Sequence, residues 1–174
     1  MLVMPPGREL VGASPQIVRE TQDYLRHCVD VAMTVHAPAI SGPAYASVGR
    51  TWWMSPDERR SVYAELAENV KPVVAYAAER GVRIGVEPLN RYETSVINTV
   101  EQALEALPEE CGLALDTYHM NIEEKDPSRR SGWPAPGSRT SRCAGPTAAH
   151  PVTTTSTGRA SPAPSTTRVT PARS

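Results

Sequence analysis

Two short apolar runs in this 174-residue chain each end in a carboxylate. GVRIGVEPLNRYET, residues 81–94, places Glu87 directly after its run and adds a second glutamate, Glu93; CGLALDTYHM, residues 111–120, places Asp116 likewise and follows it with His119. If the two runs are neighbouring parallel strands, about 4.8 Å apart, both carboxylates leave the same edge and can converge on one divalent ion. Oxygen ligands favour Mg²⁺, Mn²⁺ or a similar hard cation over zinc. A purely structural use is also open, and spacing alone favours it: each carboxylate caps a helix or pairs with an arginine such as Arg91. A lone His119 is more often a structural hydrogen-bonding group than a ligand or base. Tyr92 and Tyr118 read as pocket walls or packing, and Trp52 and Trp53 could stack on a sugar ring or cover a barrel mouth.

The elements that must position these groups alternate. Ser14-Pro15 is a helix start, after which Ile17, Val18, Thr21, Leu25, Cys28, Val29 and Ala32 recur at helical spacing. A short buried strand over residues 37–41 ends at Gly42-Pro43. Ser55-Pro56-Asp57-Glu58 repeats the start signal for a second apolar stripe, Val62, Leu66, Val70, Val73, Val74 and Ala77, in which Pro72 predicts a kink or a split. Gly81 ends that helix. VRIGVEPL is the second strand, TVEQALEAL the third helix and CGLALDTYHM the third strand. A β-α-β-α-β order with short connections calls for parallel strands and right-handed crossovers. No glycine-rich phosphate loop is present, which disfavours a doubly wound sheet. A (β/α)₈ barrel, which gathers its chemistry at the C-terminal ends of its strands, fits better.

Composition divides the chain. All 19 acidic residues lie at or before Asp126, against 11 of the 18 basic ones, so residues 1–126 are net acidic by eight. Residues 127–174 carry seven arginines and no acid, with Trp133, Cys143, Val152 and Val169 as almost their only larger apolar residues. Such a segment reads as a disordered Ser/Thr/Pro/Arg-rich tail. Its arginines are scattered and it has no lysine, so nucleic-acid contact is not expected of it. Cys28, Cys111 and Cys143 form no C-x-x-C pair and read as reduced thiols. No run approaches membrane-spanning length, and the expectation is a soluble cytoplasmic protein without membrane contact.

GVEPLNRYET followed by LALDTYHMNIEE resembles the D-tagatose and D-psicose 3-epimerase branch of the xylose-isomerase-like sugar isomerase/epimerase family. The resemblance implies a (β/α)₈ barrel, a divalent Mn, Mg or Co ion, a ketose substrate and homo-oligomeric intact relatives. It implies that Glu87 is both a metal ligand and one of two proton-transferring carboxylates, that Asp116 is a second ligand, and that Glu93 and His119 hydrogen-bond the ketose near its carbonyl. A metal-polarised ketone makes the neighbouring C3–H acidic, and two glutamates on opposite faces exchange that proton through an enediolate.

A complete barrel takes roughly 250 residues. The expectation is therefore about three βα units in residues 1–126, truncated at both ends, with half a metal site and no full activity. The tail fits a shifted reading frame: moved by one base, VTTTSTG at 152–158 is compatible with Asp-Asp-His-Val-Asp-Trp, and its surroundings with the family's sixth strand and R-G-x-P-G loop. The competing readings are an interaction protein with a basic tail and a metal-dependent phosphodiesterase on the same barrel.

Overall fold

Ser14 is extended and its hydroxyl accepts the Ile17 N–H at 3.3 Å, while Pro15 fills a first-turn position that needs no donor. These two residues start α1, Pro15–Thr34, in a computed structural model that describes residues 1–124. The buried face of α1 is Val18, Thr21, Leu25, Val29 and Ala32; Ile17 and Cys28 lie at its margins. α2, Pro56–Glu79, begins on a reciprocal capping box between Ser55 and Glu58. The backbone and hydroxyl of Ser55 hold the Glu58 carboxyl below the usual carboxylate range. That half of the box is therefore intact above the ordinary carboxyl pKa and is lost as pH falls through the lowered one. Ser55→Ala is expected to cost about 1 kcal/mol, seen as a lower urea midpoint at unchanged slope.

Pro72 lies inside α2 without splitting it, contrary to one expectation from sequence. Pro72 and Glu68, whose carbonyl loses its helical partner, are both exposed, so water can take the place of the missing bond.

The helices cover a parallel sheet of order β1-β2-β3, made of Ala39–Gly42, Arg83–Val86 and Gly112–Leu113. β1 pairs with β2 from Ala39 opposite Arg83 to Gly42 opposite Val86, and β2 pairs with β3 through Gly85–Gly112 and Val86–Leu113. α1 packs on α2 and β1, and α2 packs on β2 and on α3, Val100–Ala106. Leu25, Val29, Leu66, Val70, Val73 and Val86 are completely enclosed between these layers. On the outer side of β1 the Leu2 N–H donates to Ser41 O at 2.6 Å, so the N-terminal segment runs along that strand with Leu2 and Met4 inward and Val3 outward.

One element differs from the sequence reading. The third strand stops at Leu113, and residues expected to extend it form α4, Thr117–Glu123. Asp116 is the reason: its backbone is extended and its Oδ1 accepts the Tyr118 N–H at 2.7 Å, which starts a helix where the apolar pattern had suggested continued strand. Among the described residues no helix is long and apolar enough to cross a membrane. The proposed tail at 127–174, with Trp133 and Cys143, lies outside the described residues.

Candidate metal centre

Backbone pairing fixes where the two carboxylates emerge. The Glu87 N–H donates to Gly42 O at 3.0 Å, and the Ala114 N–H donates to Val86 O at 2.9 Å, so the ladder continues just past the named strands. The Glu87 carbonyl accepts the hydroxyl of enclosed Tyr45 at 3.0 Å. Burial pushes that phenol far up, so it remains a donor. Glu87 and Asp116 thus leave adjacent strands at the same edge. One oxygen of each and one ring nitrogen of His119 all lie within 4.8 Å of one another, with the carboxylates half-buried and His119 buried.

The structural alternative holds for only one of the pair. Asp116 caps α4 with Oδ1. Glu87 caps none of the described helices, and Arg91 is engaged elsewhere: its Nε and Nη2 reach the two oxygens of Glu123 at 2.9 and 3.0 Å. Among the described residues no side-chain cation pairs with Glu87. Burial raises its carboxyl above the usual range, Asp116 and Glu93 push in the same direction, and His119 opposes them. Carboxylates crowded at one strand edge without a partnering cation are the donor set that a hard divalent ion relieves. The residues present therefore fit such an ion.

Glu93 stands beside this cluster. Its Oε1 accepts Asn90 Nδ2 at 2.7 Å and lies 4.0 Å from His119 Nδ1. Of the neighbouring aromatic residues, Trp52 packs against the core and Tyr92 and Tyr118 are exposed. Tyr92 is 76% exposed and Tyr118 61% exposed, and the Tyr118 ring meets His119 edge-on at 5.2 Å. Trp52 is half-buried beneath the Arg50 guanidinium at 5.2 Å, whereas Trp53 is 82% exposed.

Two contributors were not assigned roles from sequence. Asn90 lies within N-R-Y-E yet joins Glu93 to His119, as described below. Glu9 is a buried acid in the N-terminal segment; its Oε2 is 2.8 Å from Arg50 Nη1, and its other oxygen accepts the Ser47 hydroxyl. That pair fastens the loop after β1, whose Gly49 N–H in turn donates to the Glu93 carbonyl at 2.7 Å. The only sequence signal for Glu9 is an acid directly before the Leu10-Val11 apolar pair.

Parallel strands alternating with helices, and acidic side chains gathered at the strand ends, define a partial (β/α)₈ barrel with a candidate strand-end site. The chain belongs to the xylose isomerase-like TIM barrel family, whose model matches residues 1–142. It is 38% identical over 133 residues to the ketose 3-epimerase of Arthrobacter globiformis, covering 72% of this chain and 44% of that protein. It is 33% identical over 127 residues to the L-ribulose 3-epimerase of Methylomonas sp. (strain DH-1), covering 71% and 43%. The structure of D-allulose 3-epimerase from Methylomonas sp. in complex with D-allulose superposes with a TM-score of 0.59 at 31% identity, covering 71% of this chain and 43% of that one. The chain spans less than half the length of these relatives.

Proposed function

We propose that residues 1–126 carry the metal-binding and proton-abstracting half of a ketose 3-epimerase site. The observation that carries this reading is the convergence of Glu87, Asp116 and His119 within 4.8 Å at one strand edge. Similarity to ketose and L-ribulose 3-epimerases supports the substrate class. Glu87 and Asp116 would hold a divalent ion, with Mn²⁺, Mg²⁺ or Co²⁺ the candidates. When bound, the ion would supply Lewis-acid polarisation of the ketone.

The remaining chemistry belongs to the side chains. A half-buried carboxylate with a raised pKa is a stronger base than an ordinary glutamate, and Glu87 takes the C3 proton of the ketose from one face. Glu93 and His119 hydrogen-bond the sugar oxygens near the carbonyl and stabilise charge that develops there. Inversion needs a second acid on the opposite face, and none is assigned among the described residues. These residues by themselves thus bind a ketose without completing its epimerisation. Two carboxylate ligands also make for weak binding of the ion.

Thermal melts test this directly. Added Mn²⁺, Mg²⁺ or Co²⁺ is expected to raise the midpoint, and D-allulose, D-fructose or D-tagatose to raise it further only when the metal is present. A shift with metal that no ketose extends, together with metal-dependent cleavage of an abasic-site duplex, would replace this reading with the phosphodiesterase one; no shift with any metal would remove both. The shifted-frame reading of the tail is tested by resequencing the gene from codon 120 past its stop. An inserted or deleted base near codons 127–137 is the expected result.

A further inference from the structure

Asn90 is 2% exposed and meets both of the side chains assigned to the sugar. Its Oδ1 accepts the Tyr92 N–H at 3.0 Å, and its Nδ2 donates to Glu93 Oε1 at 2.7 Å. Those two contacts fix which end of the amide is which. Turned over, the amide would set its oxygen against a carboxylate oxygen and its NH₂ against a backbone N–H. In the orientation that remains, the second hydrogen of Nδ2 faces His119 Nδ1 at 3.0 Å. The Asn90 backbone N–H reaches the same nitrogen at 3.1 Å. Two donors on one ring nitrogen require a lone pair there. Glu93 is no rival for a proton at that position, because its oxygen is 4.0 Å away, beyond hydrogen-bonding distance.

The geometry points to Asn90 as a positioning residue that locks His119 as the neutral tautomer protonated on Nε2, making His119 a hydrogen-bond donor and excluding it from the metal's ligands. With Nδ1 occupied by two donors and Nε2 carrying the proton, the ring has no free lone pair for an ion. The amide also holds Glu93 in place, so one buried residue, through its backbone N–H and its side chain together, sets both the direction of the proton on His119 and the position of the neighbouring carboxylate. This assignment rests on the proposed sugar-binding role of His119, but its test does not need turnover.

Imidazole ¹⁵N spectroscopy of the full chain, with His119 assigned by its loss in His119→Gln, reads the tautomer directly. The expected result is an unprotonated Nδ1 and a protonated Nε2, both retained when Zn²⁺, a divalent ion well suited to imidazole, is added to saturation. Asn90→Asp replaces the side-chain donor with an acceptor and is expected to move protonation onto Nδ1. Asn90→Ala keeps the backbone donor, as Asn90→Asp does, but introduces no acceptor against Nδ1, and is expected to retain the Nε2–H form. A merely structural role predicts that both variants lose stability and leave the tautomer alone. A proton on Nδ1 in the wild type, loss of Nε2–H on adding Zn²⁺, or an unchanged tautomer in folded Asn90→Asp would overturn the assignment. None of these outcomes depends on whether a ketose binds, so failure of the functional reading would be seen separately in the melts.

Discussion

Glu87→Gln is expected to raise the thermal midpoint of the metal-free protein and to abolish its response to added Mn²⁺. The amide keeps the shape of the carboxyl and removes a charge that is half-buried beside Asp116 and Glu93. Because burial raises the folded-state pKa of Glu87, the folded chain holds that proton more tightly than the unfolded chain does. Metal-free stability therefore falls as pH rises through the interval between the ordinary carboxyl pKa and the raised one, and then levels off. The advantage of the variant should be absent at the acid end of that interval and full at neutral pH. With metal the order reverses. A ligand at a hundredfold excess over its Kd contributes about 2.7 kcal/mol to whichever protein binds it, and only the wild type retains both carboxylate ligands. In a protein that also supplies the opposite-face acid, the same change is expected to slow exchange of the ketose C3 proton with D₂O by at least about 10²-fold. Unimpaired exchange would remove Glu87 from the role of base.

The second large effect is expected at Gly42, the last residue of β1. A Cβ at this position would stand 2.1 Å from the Leu2 carbonyl oxygen and 2.9 Å from its carbon. These are backbone atoms and cannot swing aside, so the N-terminal segment or β1 itself must move. Gly42→Ala is expected to cost about 3 kcal/mol, the upper end of ordinary overpacking, measured as a loss of urea midpoint. Gly7 provides the comparison. At φ 81° with nothing within 4 Å of its added Cβ, it is subject only to backbone strain, and Gly7→Ala should cost about 1–2 kcal/mol. The Gly42 change should also reach the candidate site, since the Gly42 carbonyl holds the Glu87 N–H. The metal-induced rise in midpoint is expected to shrink in Gly42→Ala and to persist in Gly7→Ala.

How far the sequence could be read follows from the distances over which its signals act. Ser14-Pro15, the Ser55/Glu58 box and Gly81 mark helix ends because a cap and its partner lie within three or four residues, and each was legible. The alternation that yields three parallel strands was legible because apolar period and turn residues recur locally. So was the placement of Glu87 and Asp116 at strand ends, although which of them would be spent on capping was not. The Asp116 cap was hidden by the apolar run before it, and α4 was read as strand for that reason.

Asn90 and His119 are 29 positions apart, and Glu9 and Ser47 are 38 apart; no local pattern announces either pairing. Sequence determined the kind of scaffold and the two carboxylates at its rim, through caps and periodicity that each residue shares with its near neighbours. Only tertiary structure decided that Arg91 goes to Glu123, that no side-chain cation among the described residues pairs with Glu87, and that Asn90 joins Glu93 to His119, because those choices depend on which loops the parallel strands deliver to the same edge.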